Sequence, residues 1–264
     1  MISRSQRAFI NRALPVLKKD KRIVGVALSG AYSGENTEER TGLEFIIVVN
    51  TAQYDDVLSD MASIAASLGK LLAFFPADHI QKPEQLICMF EHESIHHVDL
   101  DFQPLDKISA RLTNPEILYE KDGLLTHEFS KAPVIIPSPD LQWYEDRFWI
   151  WVHYITNNIR RGELFDAIEG LSFLRQRVLG PLMQLKNGKP PSGVRNIEAT
   201  APAEIPRLVA TLAEHNPKSC LRALKSAADL YIYLRGYNIS KLLSREDAQR
   251  RALQYLNTIS DTIV

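Results

Sequence analysis

The segment His96-His97-Val98-Asp99-Leu100-Asp101-Phe102 puts an imidazole and two carboxylates at alternate positions. Successive side chains of an extended strand point to opposite faces, so Val98, Leu100 and Phe102 form an apolar face and His97, Asp99 and Asp101 share the other. Two like charges at i and i+2 on one face repel unless a cation, an arginine or water separates them. A divalent metal accounts for the pair, and so does a solvent-exposed strand face. His92, His96 and His97 lie close together, but their spacing matches neither HExxH nor a closed zinc pattern.

The elements that must position these groups follow from periodicity. Residues 4 to 18 carry Phe9, Ile10, Ala13, Leu14 and Leu17 at helical spacing, with Pro15 the one awkward residue. Ile23 to Leu28 and Leu43 to Val49 are β-branched, apolar runs separated by a polar stretch rich in turn formers, which predicts strand, loop, strand. A helix is expected over 53 to 68, ended by Gly69, and three further strands over 70 to 75, 85 to 90 and 96 to 102. From Leu141 the period is helical throughout, in segments 141 to 161 and 163 to 185, the second kinked at Gly180-Pro181. Asn216-Pro217 opens a helix to about Arg235, and Ser244 with Asp247 has the form of a capping box opening the last one. The expected fold class is α+β: a mixed sheet of about five strands with helices on one face over residues 1–130, a Pro-rich linker over 131–140, and a helical bundle over 141–264. A ligand is expected in a cleft between the halves.

Across the two strands, the loop GAYSGENTEERTGLEF and the strand HVDLDF resemble the DNA polymerase β-like nucleotidyltransferase superfamily, which includes antibiotic-modifying adenylyltransferases. That family opens with a strand, a Gly-Ser turn and a second strand bearing Asp-x-Asp, with a third acid on a later strand. Aligned without a gap, Gly30-Ala31 falls on Gly-Ser, Gly42-Leu43-Glu44 on Asp-x-Asp, and Asp99 on the third acid. DLQWYEDRFWIWVHY, RRGELFDAIEGLSFLRQRVLGPL and SGVRNIE resemble the helical half of bacterial predicted nucleotidyltransferases. The resemblance implies two Mg²⁺ ions about 3.5 to 4 Å apart on three carboxylates, clamping a triphosphate for in-line displacement of pyrophosphate by a hydroxyl. It assigns Glu44 and Asp99 as metal ligands and catalytic residues and Gly30, Ala31 and Tyr32 as nucleotide-binding; Asp101, on the same strand face as Asp99, is a candidate compensating metal ligand. Three positions depart from the pattern: Ala31 lacks the hydroxyl, Gly42 offers no ligand, and Glu44 is a longer carboxylate.

In the helical half, Arg161 and Arg195 are candidates for phosphate contacts and Glu163 and Glu198 for the acceptor side; an interhelical ion-pair network is the competing account. Glu35, Glu38 and Glu39 read as a solvated acidic loop or a rebuilt metal site. Glu145, Asp146 and Arg147 are expected to face water or begin a helix while Phe148, Trp149 and Trp151 pack the core. Two functional classes follow: a transferase moving a nucleoside monophosphate from Mg·NTP to a small-molecule hydroxyl, or an inactive relative that binds a nucleotide, small molecule or protein partner in the same cleft.

Bulk properties bound these readings. The 264 residues carry 31 Lys and Arg against 32 Asp and Glu, so nothing global draws the chain to nucleic acid or an acidic membrane. No membrane span and no signal peptide are expected, which makes the cytoplasm the expected location. Cys88 and Cys220, far apart and without metal-ligand spacing, read as small buried residues. GxSxG, P-loop and dinucleotide fingerprints are missing, which argues against hydrolase, P-loop NTPase and dehydrogenase chemistry.

Overall fold

A computed structural model describes residues 2–29, 42–92, 94–111, 114–135, 139–237 and 242–263. The chain divides into two compact units, Met1–Ile136 and Pro137–Val264.

The first unit runs α1 (Arg4–Lys19), β1 (Ile23–Leu28), β2 (Leu43–Val49), α2 (Tyr54–Ser67), β3 (Lys70–Ala77), β4 (Lys82–His92), β5 (Ser94–Pro104), β6 (Glu116–Glu120) and α3 (Leu124–Ser130). Helix α1 starts on a reciprocal cap in which Ser3 accepts from the Gln6 backbone and Gln6 accepts from that of Ser3. Its buried stripe of Phe9, Ile10, Ala13 and Leu17 faces the sheet, and Pro15 sits inside the helix without ending it. The sheet order is β3-β4-β5-β2-β1-β6. β2 and β5 run parallel, and the other pairings are antiparallel. A parallel pair cannot be closed by a tight turn, and here the connection from β2 passes through α2 and the β3–β4 hairpin before β5 inserts.

One sheet face carries the main core, where Phe45, Ile47, Cys88, Phe90, Val98, Leu100 and Phe102 meet the apolar stripes of α1 and α2. Phe9 lies 5.0 Å from Phe90 and 6.2 Å from Phe45, ring centre to ring centre. The opposite face is covered in part: Leu125 of α3 and Ile108 pack on Val24, Ala27 and Val48. Two expectations are thereby corrected. Among the described residues the sheet has six strands, the short β6 following Pro115 having been too brief to register as a run of its own. Helices also lie on both faces, because α3 is needed to bury the β1–β2 end of the second face.

The second unit is helical: α4 (Leu141–Arg161), α5 (Leu164–Leu174), α6 (Gly180–Lys186), α7 (Ile197–Thr200), α8 (Ile205–Val209), α9 (Pro217–Gly236) and α10 (Glu246–Thr262). Asp140 caps α4 on the Trp143 amide, and Asn216 caps α9 on the Ser219 amide at 2.8 Å. Phe148 stacks on Tyr231 at 3.8 Å in a core that joins α4, α5, α6 and α9. The break expected at Gly180-Pro181 is a π-helical turn over Arg175–Leu179, just before that pair. A Cβ on Gly180 would lie 2.3 Å from the carbonyl oxygen of Gly193, so glycine lets the 192–200 loop lie directly on the helix. Gln184, fully buried, fastens the same loop by accepting from the Ser192 amide at 2.6 Å and donating to the Ser192 hydroxyl at 2.9 Å.

Two readings of local chemistry are revised. The last helix has no capping box: Arg245 is its N-cap residue and no side chain caps it. Asp247 pairs with Arg250 instead, and the Arg245 backbone N–H donates to Glu145 at 2.9 Å. Glu145 does not face water. It is 1 % exposed and accepts from Tyr231 Oη (2.7 Å), Arg235 Nη1 (2.8 Å) and Trp149 Nε1 (3.3 Å), so four donors compensate its desolvation.

Both cysteines are buried and unbridged. Burial pushes both thiols up, Cys88 to about 12 with the Asp99 carboxylate adding to the effect. Among the described residues no helix is long and apolar enough to cross a membrane.

Candidate functional site

The parallel register of β2 and β5 sets Glu44 beside Asp99 and Ile46 beside Asp101. Leu43, Phe45, Ile47, Val98, Leu100 and Phe102 all point into the helix-side core. Strand alternation therefore sends Glu44, His97, Asp99 and Asp101 together to the opposite face. Residues half a unit apart in sequence thus share one surface, beyond the part that α3 covers.

Within that surface the three acids separate into two groups. Glu44 and Asp101 line a cavity of about 290 Å³ together with Lys82, Gln103, Lys107 and Arg111. Burial raises the Asp101 carboxyl above the usual carboxylate range and the Glu44 and Glu84 charges add to this, while the Gln103 amide, donating at 2.6 Å, and the Lys82 ammonium oppose it. Arg111 is committed to the cavity wall: it donates to the carbonyls of Ser109 (3.2 Å) and Ala132 (2.9 Å) and to Asn114, and lies over the Phe129 ring. Lys82 and Lys107 are exposed and can reach an anion at the cavity mouth. Ser29, the last described residue before the loop, lines the same cavity, and its amide donates to the Glu44 carbonyl at 2.9 Å.

Asp99 is engaged elsewhere. Its Oδ1 lies 2.8 Å from His97 Nε2, with the imidazole 61 % exposed and the carboxylate 27 %. An ionised carboxylate only accepts, so that ring nitrogen carries the proton. A Cβ on Gly42 would lie 3.1 Å from the His97 carbonyl oxygen, a tight approach, and 3.4 Å from its ring, an ordinary contact.

A magnesium pair on three carboxylates does not fit these residues. Gly42 has no donor atom, Asp99 is held by imidazole, and among the described residues no three His, Cys, Asp or Glu side chains converge on a point that an ion would occupy. Two carboxylates at one cavity, Glu44 and Asp101, remain.

Gly30, Ala31 and Tyr32, like Glu35, Glu38 and Glu39, lie outside the described residues. Arg161, Glu163, Arg195 and Glu198 belong to the helical unit. Arg161 donates to Glu163 and to Asn158, both at 2.6 Å, around the Gly162 helix end. Arg195 and Glu198 are exposed on the loop pinned by Gln184. Sequence reasoning missed Lys82, Gln103, Lys107 and Arg111. Gln103 continues the 97-99-101 alternation and was open to discovery by that signal. The three cations sit at strand ends and in turns, where a basic residue reads as ordinary surface.

No curated protein matches the chain. Among solved structures, an aminoglycoside 6-adenyltransferase from Bacillus subtilis aligns over 98 % of this chain and 99 % of its own at 18 % identity and a TM-score of 0.40. A nucleotidyltransferase-like protein from Exiguobacterium sibiricum aligns over 87 % and 74 % at 11 % identity and a TM-score of 0.37. The streptomycin adenylyltransferase family matches residues 3–196, which spans the whole six-stranded unit and the first helices of the second; the chain belongs to that family.

Proposed function

We propose that the chain transfers a nucleoside monophosphate from a nucleoside triphosphate to a hydroxyl group of an aminoglycoside-type antibiotic. The family match supports the reaction class, and the observation that carries the reading to residues is the parallel register that sets Glu44 beside Asp99 on a face with a cation-rimmed cavity. In the reaction the acceptor oxygen forms a bond to the α-phosphorus, the bond from that phosphorus to the bridging oxygen breaks, and pyrophosphate leaves. Asp99, its Oδ1 fixed by His97, takes the hydroxyl proton on its other oxygen. Lys82 and Lys107 meet phosphate oxygens as mobile point charges. The family resemblance assigns Gly30, Ala31 and Tyr32 to the triphosphate. The inactive-relative alternative rests on the ligand missing at Gly42 and on the imidazole that holds Asp99.

The test is mass spectrometry of streptomycin and a panel of related aminoglycosides after incubation with each of the four nucleoside triphosphates and Mg²⁺. One acceptor is expected to gain a nucleoside monophosphate. Asp99→Asn is expected to slow that gain by about a hundredfold or more, the usual loss of a general base. No adduct and no pyrophosphate with any pair would sink the reading.

A further inference from the structure

We infer that the outer edge of the sheet, strand β3, is an interface on which a second copy of this chain docks, strand against strand, about a two-fold axis at Phe74. The inference concerns assembly and stands independently of the transferase reading. β3 is the terminal strand in the sheet order, and among the described residues it pairs only with β4. A terminal strand leaves a row of backbone N–H and C=O groups open, which folds ordinarily blunt with charge or cover. Here the strand reads Lys70-Leu71-Leu72-Ala73-Phe74-Phe75-Pro76-Ala77, and Leu72, Phe74 and Phe75 are 44, 44 and 50 % exposed. Met89 on β4 and Ile80 in the turn between the two strands are exposed as well. An apolar patch of that kind at a sheet edge marks a contact surface.

What fits the patch is set by the strand itself. Antiparallel pairing about a two-fold at Phe74 places that ring against its own copy, Phe75 opposite Ala73 and Leu72 opposite Pro76, so a large side chain meets a small or flat one on either side of the axis. The same register brings exposed Lys70 opposite exposed Asp78 at both ends of the contact. A two-fold one residue to either side sets Lys70 opposite Pro76, or Asp78 opposite Leu72, and the charge match is lost. Within its own copy Lys70 reaches only the exposed Glu91, at 2.6 Å. The bulge between Leu71 and Ala73 and the missing donor of Pro76 confine backbone pairing to the stretch around Phe74. Side chains therefore carry most of the contact, on the scale of the smaller specific interfaces, roughly 1,000 Å² in total, which suits a reversible dimer rather than an obligate one. Because both copies offer the same patch, the assembly closes at two.

The test uses the full chain. Sedimentation equilibrium is expected to show a reversible monomer–dimer equilibrium for the native protein. Phe74→Lys, which sets two ammonium groups face to face at the axis, is expected to weaken association by about a hundredfold. Asp78→Lys is expected to weaken it by roughly tenfold, and Lys70→Glu added to Asp78→Lys to restore it. Crosslinking reads the register. Cα atoms of directly opposed antiparallel residues stand about 4.5 to 5.5 Å apart, within disulfide reach, so a mixture of Ala73→Cys and Phe75→Cys chains is expected to form a linked dimer under mild oxidation while neither variant alone does. The native thiols are buried and take no part. Circular dichroism confirms that each variant keeps its fold. A native chain that stays monomeric up to millimolar concentration, one that grows into open-ended polymers, or association unmoved by Phe74→Lys would overturn the inference. So would crosslinking of either cysteine variant with itself, or a charge-exchanged double variant no tighter than Asp78→Lys alone. A native monomer would leave the edge to a partner of different sequence.

Discussion

At the scale of single residues, Asp101 shows a site group held at a cost to the fold. Burial raises its carboxyl, so the folded chain binds that proton more tightly than the unfolded one. The contribution is favourable below the unfolded value of about 3.9 and is lost as pH rises through the folded value. Above the folded value the cost is present in full. Asp101→Asn keeps an oxygen for the Gln103 amide and removes the charge, so its melting temperature is expected to exceed that of the native chain at pH 7. The difference should disappear below about pH 3.9, and scanning calorimetry at the two pH values decides it. A variant less stable at pH 7 but not at the lower pH would show that the Lys82 attraction outweighs desolvation. The acids at 99 and 101 were legible because a two-residue period fixes which side chains share a face. Their division into a cavity pair and a histidine-bound partner was not, because it depends on the register with β2 and on what surrounds each carboxylate.

Among the elements, the π-helical turn and the loop it faces form one unit. Gly180 permits backbone contact with Gly193, while Gln176 and Gln184 hold the loop amides of Val194 and Ser192. Asn196 occupies the left-handed region at φ 53°, which directs the chain into α7 between exposed Arg195 and Glu198. Gly180→Ala drives a methyl into a carbonyl oxygen, a contact that only backbone movement relieves, and is expected to cost about 1 to 3 kcal/mol. Chemical denaturation measures that cost, and faster amide hydrogen exchange over 192–200 than in the native chain would locate it. An unchanged exchange rate there would show that the loop is held independently of the helix. The Gly180-Pro181 pair announced an interruption in sequence. Its form was hidden because hydrogen-bond register within a helix leaves no compositional trace. The strands and long helices were readable from apolar periodicity, while β6, only five residues long and directly after Pro115, had too little length to display a period.

For the whole molecule, the buried carboxylate of Glu145 joins parts of the chain that the family match separates. Glu145 and Trp149 lie within residues 3–196, whereas Tyr231, Arg235 and Arg245 lie beyond it. The helices after 196 are thus part of the solution for a charge inside the matched segment. Glu145→Ala leaves Arg235 buried without its partner and is expected to lower the unfolding free energy by about 3 to 5 kcal/mol, measured by urea titration. A loss below about 1 kcal/mol would place the network among those of little net effect. Sequence alone gave this glutamate no such role, since a Glu-Asp-Arg run ahead of aromatics is indistinguishable from a solvated helix start until the partners from α9 arrive.

The burial of Cys88 and Cys220 has a practical consequence of its own. With both thiols shielded and held in the protonated form, the native chain offers alkylating dyes no ready nucleophile at neutral pH. A cysteine introduced on the outer surface becomes the single handle for a fluorophore or spin label. Such a handle on either compact unit can be labelled without any need to remove the native sulfur atoms first.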